Sequence, residues 1–167
     1  MNIEELFRKH YPELYRFAYQ LSQSDELSRD LVQETFLKLA AIDQKRFREI
    51  VNKRAWLFRV VYNEFISQIR RDERARMFES HLLYNQTEEE DMMERYDLIE
   101  KRKIVRNEIK KLSVNECAIL FLYSDGLSYS EISEILNINF ASVGNSILRA
   151  KNKLIKNLKT KYHGLFE

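Results

Sequence analysis

Residues Gly126–Lys153 read GLSYSEISEILNINFASVGNSILRAKNK: a short helix, a tight turn and a longer helix. Ser128 is followed three residues later by Glu131. The hydroxyl can accept from the free N–H near Glu131 and the carboxylate can reach back, so a helix starts there. Ile132, Ile135 and Leu136 recur at helical spacing and form its apolar face. Asn137 and Asn139 flank Ile138; Asn tolerates left-handed backbone and bonds its own turn, which predicts a bend. In the second helix Val143, Ile147, Ala150 and Leu154 fall on one side, and Ser142, Asn145, Ser146, Arg149 and Lys153 on another. Short polar side chains followed by basic ones suit a helix laid in the major groove of DNA. Two amphipathic helices packed in an α-bundle are the plainer reading of the same pattern.

The rest of the chain narrows the classes. Its 167 residues suffice for one ordinary domain or two small ones, and three Gly and one Pro argue against a β-sandwich or a Gly-rich phosphate loop. The single Cys117, in the apolar run CAILFL, allows no intramolecular disulfide or cysteine metal cluster and reads as a small core residue. His10, His81 and His163 are scattered, and the acids Glu88–Asp91 read as a solvated run. No catalytic centre, metal or cofactor is expected. No stretch is long and apolar enough to span a bilayer, and MNIEELFRKH does not resemble a signal peptide, so a cytoplasmic location without membrane insertion is expected.

Net charge is +2, but it is unevenly placed. Residues 1–44 carry five Lys/Arg against eight Asp/Glu, and residues 45–75 nine against four. Residues 76–97 carry two against seven, and residues 98–167 twelve against seven. Two basic blocks divided by an acidic one predict two nucleic-acid surfaces.

From the N-terminus, Ile3 to Leu21 reads as a helix that Pro12 breaks or kinks near Tyr11. Ser24 or Asp25 caps the next, which runs to about Ala41. Leu27, Leu31, Val32, Thr35, Phe36 and Leu39 project one way; Asp30, Gln33, Glu34 and Leu37 form a stripe on the other side, a solvated face or a partner face. Asp43 to Ile50 reads as a loop that sets Lys45, Arg46 and Arg48 around Phe47, a composition that suits phosphates and an unpaired base as well as a packed ring. Lys53 to about Met77 reads as a long helix lined by Trp56, Val60, Asn63, Ile66 and Ile69, with Arg54, Arg59, Arg70, Arg71 and Arg74 around it. After the acidic stretch, a helix over Leu98–Leu112 leads to a second Ser-to-Glu pair, Ser113 and Glu116. The helix that pair starts ends at Gly126, a left-handed cap. The expected architecture is all-α: a domain at 1–78, an acidic linker at 79–97 and a helix-turn-helix domain at 98–162.

Three ordered blocks resemble one family: LYRFAYQLSQSDELSRDLVQETFLKLA, RAWLFRVVYNEFISQIRR and LSVNECAILFLYSDGLSYSEISEILNINFASVGNSILRAKNKL. They look like a bacterial sigma-70-family factor of the extracytoplasmic-function (ECF) group. The resemblance implies a non-catalytic subunit that binds core RNA polymerase, through the β′ clamp helices and the β flap, and directs it to promoters. It implies a sigma-2 domain for the −10 element and a sigma-4 domain for the −35 element, and an anti-sigma factor as a further partner. By position it assigns polymerase binding to Asp30, Gln33, Glu34 and Leu37. It assigns −10 DNA to Lys45, Arg46, Phe47, Arg54, Trp56 and Asn63, to which the charge pattern adds Arg70 and Arg71, and it sets Ser142 to Ser146 in the −35 recognition helix, whose polar face of Ser142, Asn145, Ser146, Arg149 and Lys153 is expected to meet −35 DNA. The acidic linker resembles the segment that threads the polymerase cleft and RNA exit channel. The chain departs from the family where Ser113 replaces a usual Pro, Ser67 a common Asp, and Gly144 and Ser146 two basic positions of the recognition helix. The alternative is a helix-turn-helix operator-binding regulator, which has no need of the DLVQETF stripe.

Overall fold

The computed structural model describes residues 3–78 and 96–161, which form eight α-helices. The N-terminal unit holds α1 (Ile3–Ser22), α2 (Asp25–Ala41), α3 (Gln44–Glu49) and α4 (Lys53–Phe78); the C-terminal unit holds α5 (Tyr96–Ile109), α6 (Val114–Ser124), α7 (Tyr129–Leu136) and α8 (Phe140–Lys161). The acidic segment read as a linker lies, over 79–95, outside the described residues.

α1 runs unbroken through Pro12, against the expected break. Pro12 removes one backbone donor, a cost of about 3 kcal/mol in a helix interior. The buried stripe Leu6, His10, Leu14, Phe17 and Ala18 lies on both sides of it, and packing on α2 and α4 outweighs that loss. Gln23, at φ +54, closes the helix, and its side-chain amide donates to the carbonyls of Tyr19 and Gln20. Ser24 then caps α2 by accepting from the Leu27 N–H.

The stretch expected as a loop contains α3, because Asp43 accepts from the Arg46 N–H at 2.8 Å and nucleates a turn. In α4 the buried set is Ala55, Leu57, Phe58, Val61, Tyr62 and Phe65, not the expected row from Trp56 to Ile69. The helix is packed by α1 and α2 and also by α7, so its apolar arc is wide and that row runs along its rim. Asn63 in the row is exposed.

The C-terminal unit follows its local signals. Both capping boxes are formed: Ser113 with Glu116 at α6 and Ser128 with Glu131 at α7. Gly126, at φ +78, follows α6, and Asn137, at φ +52, ends α7. Leu122, Leu127, Ile132, Ile135, Val143, Ile147 and Ala150 form its interior. That interior is continuous with the one built by Leu6, Phe17, Phe58 and Val61, because α7 packs on α4 and α6 on α1. The two units form one closed body.

Candidate nucleic-acid and partner interfaces

The α2 stripe stands clear of the core. Asp30, Gln33, Glu34 and Leu37 are all exposed, while Leu31, Val32, Thr35, Phe36 and Leu39 are buried behind them. Leu37 is 57% exposed, an apolar side chain in water amid polar neighbours. Thr35 satisfies its buried hydroxyl by donating to the Leu31 carbonyl at 2.8 Å.

The basic surface is built on α3 and α4. Lys45, Arg46, Arg70 and Arg71 are exposed, the last two about 25 Å farther along α4 at 1.5 Å per residue. Phe47 is not presented as a free stacking face: it packs against the core, and Lys53 Nζ sits 5.0 Å from its ring centroid. Trp56 likewise leans on the core. The fully exposed apolar side chain at this turn is Val51, which the sequence reading passed over. It borders a polar recess with Lys9, His10, Glu13, Asn52, Lys53 and Arg54.

Arg54 is the most constrained of the basic set. Its Nε and Nη2 donate to the Glu13 carboxylate at 3.1 and 2.8 Å, and its Nη1 lies 3.7 Å from Glu131 of α7. The Glu13 bonds raise its pKa further above the ordinary value. Burial pushes Glu13 up, but the bonds from Arg54 and His10 outweigh it and hold this carboxyl below the usual range. Glu131 is governed alike: burial raises it, and the Ser128 N–H, Asn52 and Arg54 together bring it below the usual value. Asn52 donates to Glu131 at 3.1 Å while its Oδ1 caps α4 by accepting from the Ala55 N–H. Beside this cluster Arg16 pairs with Asp125 at 3.1 Å, and Tyr62 donates to Asn115. Burial raises the Asp125 pKa, an effect that the Arg16 pair offsets in part.

On α8, Asn145 and Arg149 are exposed, and Ser142 and Ser146 are half-buried. Ser142 spends its hydroxyl on the Asn139 carbonyl at 2.7 Å, at the helix start. Lys153 donates to Glu116 of α6 at 2.9 and 3.0 Å, so it ties α8 to α6. At Gly144 the Tyr129 ring lies 3.4 Å from where a Cβ would stand, an ordinary contact distance. Cys117 donates to the Ile109 carbonyl, and burial pushes its thiol up to about 11, so it is unreactive near neutrality. No helix among the described residues is long and apolar enough to cross a membrane.

Comparison with known proteins follows these two units. Residues 6–75 match the family Sigma-70 region 2, and residues 102–154 match Sigma-70, region 4. RNA polymerase sigma factor YlaC of Bacillus subtilis (strain 168) is 31% identical over 160 residues, spanning 94% of this chain and 92% of that protein. ECF RNA polymerase sigma factor SigM of the same organism is 24% identical over 159 residues, spanning 92% and 93%. Among solved structures, the co-crystal structure of the sigma factor RpoE in complex with the anti-sigma factor NepR from Bartonella quintana matches with a TM-score of 0.75. The identity there is 26%, over 95% of this chain and 97% of the matched one.

Proposed function

This chain belongs to the ECF group of the sigma-70 family, and from that premise we propose how its surfaces divide the work of promoter-directed initiation. It is a sigma factor: its partners are core RNA polymerase and promoter DNA, and its likeness to a sigma factor crystallised with an anti-sigma factor supports a partner of that kind here. It acts as a non-catalytic subunit, in the cytoplasm with the polymerase. A stand-alone operator-binding regulator is disfavoured, because the likeness covers the N-terminal unit as well as the helix-turn-helix.

The α2 stripe docks on the polymerase, on the β′ clamp helices. The observation that carries this is the exposed Leu37 within an otherwise polar, non-core row. Lys45, Arg46, Asn63, Arg70 and Arg71 follow the −10 strand, with Val51 as the apolar side chain at the turn and Phe47 as the buttress beneath it. Asn145 and Arg149 meet base edges at −35, where a well-placed pair gives about 1–3 kcal/mol of discrimination. The β flap is the second polymerase contact, on the C-terminal unit.

Run-off transcription with core polymerase on a genomic promoter pool tests the reading. The chain is expected to support promoter-specific transcripts. The triple change Asp30→Ala, Gln33→Ala and Glu34→Ala should abolish them with unaltered melting. Transcription that persists at full level would remove α2 from the polymerase interface.

A further inference from the structure

We propose that a cavity at the seam between the two units is a binding site for a single-chain amphiphile with an anionic head, of the long-chain fatty acid class. The inference goes beyond the promoter reading above and does not depend on it.

The cavity has a volume of about 570 Å³, within the range of small-molecule sites. Its walls come from the end of α1, from α4 through Phe65, from α5, and from α6 through Cys117 and Phe121. The floor is apolar: Leu21, Phe65, Val105, Ile109, Leu112 and Phe121 are buried or half-buried. Charge enters only at the rim. Lys101, Arg102, Arg106 and Lys110 line the cavity and are exposed, and no carboxylate joins them among its lining residues.

α5 creates this polarity by its spacing. Val105 and Ile109 stand four residues apart on one row of the helix. Arg102, Arg106 and Lys110 repeat at the same step on the neighbouring row, which runs about 12 Å along the mouth at 1.5 Å per residue. An apolar floor takes a hydrocarbon chain and disfavours sugars and phosphates. Cations at the rim favour a carboxylate head, which an Arg fork can hold with two hydrogen bonds, over a neutral or cationic one. A partner helix about 10 Å across would fill the volume within two turns, so the cavity is sized for a small molecule.

Cys117 makes the site readable. It is the single cysteine of the chain and lies in the cavity wall, so its alkylation reports occupancy there. The full chain is titrated with octanoate, decanoate and dodecanoate below micelle formation, at about pH 9, where a fraction of the thiol is ionised. The rate of alkylation by iodoacetamide and the heat of binding are recorded. Dodecanoate at ten times its dissociation constant should bind one to one and slow alkylation by about tenfold. Affinity should rise by roughly tenfold for each two methylenes added, as a buried chain requires. Dodecyltrimethylammonium, with the same tail and the opposite charge, should give no protection. Arg106→Glu should weaken dodecanoate at least about tenfold. Lys103→Glu, the same charge change on α5 away from the cavity, should leave it within about twofold. Val105→Phe, which fills the floor and leaves every charge in place, should weaken all three acids. Unaltered alkylation at saturating dodecanoate would overturn the site. So would equal protection by the cationic amphiphile, or equal losses in Arg106→Glu and Lys103→Glu. Protection by phosphatidylglycerol vesicles and by none of the acids would also overturn it, since a lipid surface would then be the ligand instead of a single chain.

Discussion

Two capping boxes sit fifteen residues apart in the C-terminal unit, built from the same letters and with the same local geometry. At α6 the Ser113 hydroxyl accepts from the Glu116 N–H at 3.3 Å and the Glu116 carboxylate accepts from the Ser113 N–H at 2.7 Å. At α7 the Ser128 and Glu131 bonds are 3.3 and 2.9 Å. The glutamates diverge in what else they hold. Glu116 turns inward to Lys153 and fastens α6 to α8. Glu131 turns outward to Asn52 and Arg54 and fastens one unit to the other. One local motif therefore serves unit integrity in one place and whole-molecule closure in the other, and the difference comes entirely from tertiary neighbours.

The sharpest way to break that contrast is to delete the two carboxylates. Glu131→Ala should cost about 2–3 kcal/mol in urea unfolding, because it loses the helix-start interaction and leaves the half-buried Asn52 amide without its acceptor. Glu116→Ala should cost about 1 kcal/mol, since its Lys153 partner is half exposed and the pair is screened. Equal losses would show that the seam adds nothing beyond the cap.

Truncating the serines probes what the boxes share. Ser113→Ala and Ser128→Ala should each cost about 1 kcal/mol. A difference between them well beyond experimental error would mean that the boxes are not locally equivalent, and the contrast would then begin at the cap itself.

Gly144→Ala strengthens the C-terminal unit without touching the seam. A Cβ there meets only ordinary contact with the Tyr129 ring, and an Ala in a helix interior is better than Gly by about 0.5–1 kcal/mol. The melting temperature should rise while energy transfer between dyes on the two units is unchanged. Destabilisation would show that the Tyr129 ring does not tolerate a methyl group at this distance.

The smallest effect is expected with acid. The Lys153 bond lowers the Glu116 pKa, and at Glu131 the Ser128, Asn52 and Arg54 interactions exceed the upward push of burial. Each contribution is complete above the ordinary value of 4.5 and is lost as pH falls through the lowered one. Asp125, raised by burial, works in the opposite sense and protonates earlier. Acid titration should therefore open the seam below about pH 4.5 in wild type, and Glu131→Gln should flatten the response where Glu116→Gln does not. An acid response that survives Glu131→Gln would assign the opening to other carboxylates.

What the sequence disclosed and what it withheld follow the same division. Ser113/Glu116, Ser128/Glu131, Asn137 and Gly126 were legible because their chemistry is completed within a few residues. The α2 stripe was legible as a face, though nothing in its spacing told a solvated row from a docking one. Pro12 misled because a local backbone penalty was weighed without the packing on both sides of it. α3 was overlooked because a six-residue helix has too little periodicity, although Asp43 was its start signal. Phe47 was read toward DNA from the basic residues around it and Lys153 from its helix face, and the structure gives each a contact inside the protein. The seam was illegible: Asn52 and Glu131 are 79 residues apart, Tyr62 and Asn115 are 53, and no spacing rule links them.

The wide separation of those partners also orders events in time. Asn52 and Glu131 are 79 residues apart, so at about 5–20 residues per second Glu131 is synthesised roughly 4–16 s after its partner. α1, α2 and α4 pack on one another, and Glu13 is already present to neutralise Arg54, before α7 exists. During each round of translation the nascent chain thus passes through an interval in which these three helices are complete and the α7 carboxylate that meets Asn52 has not yet been made.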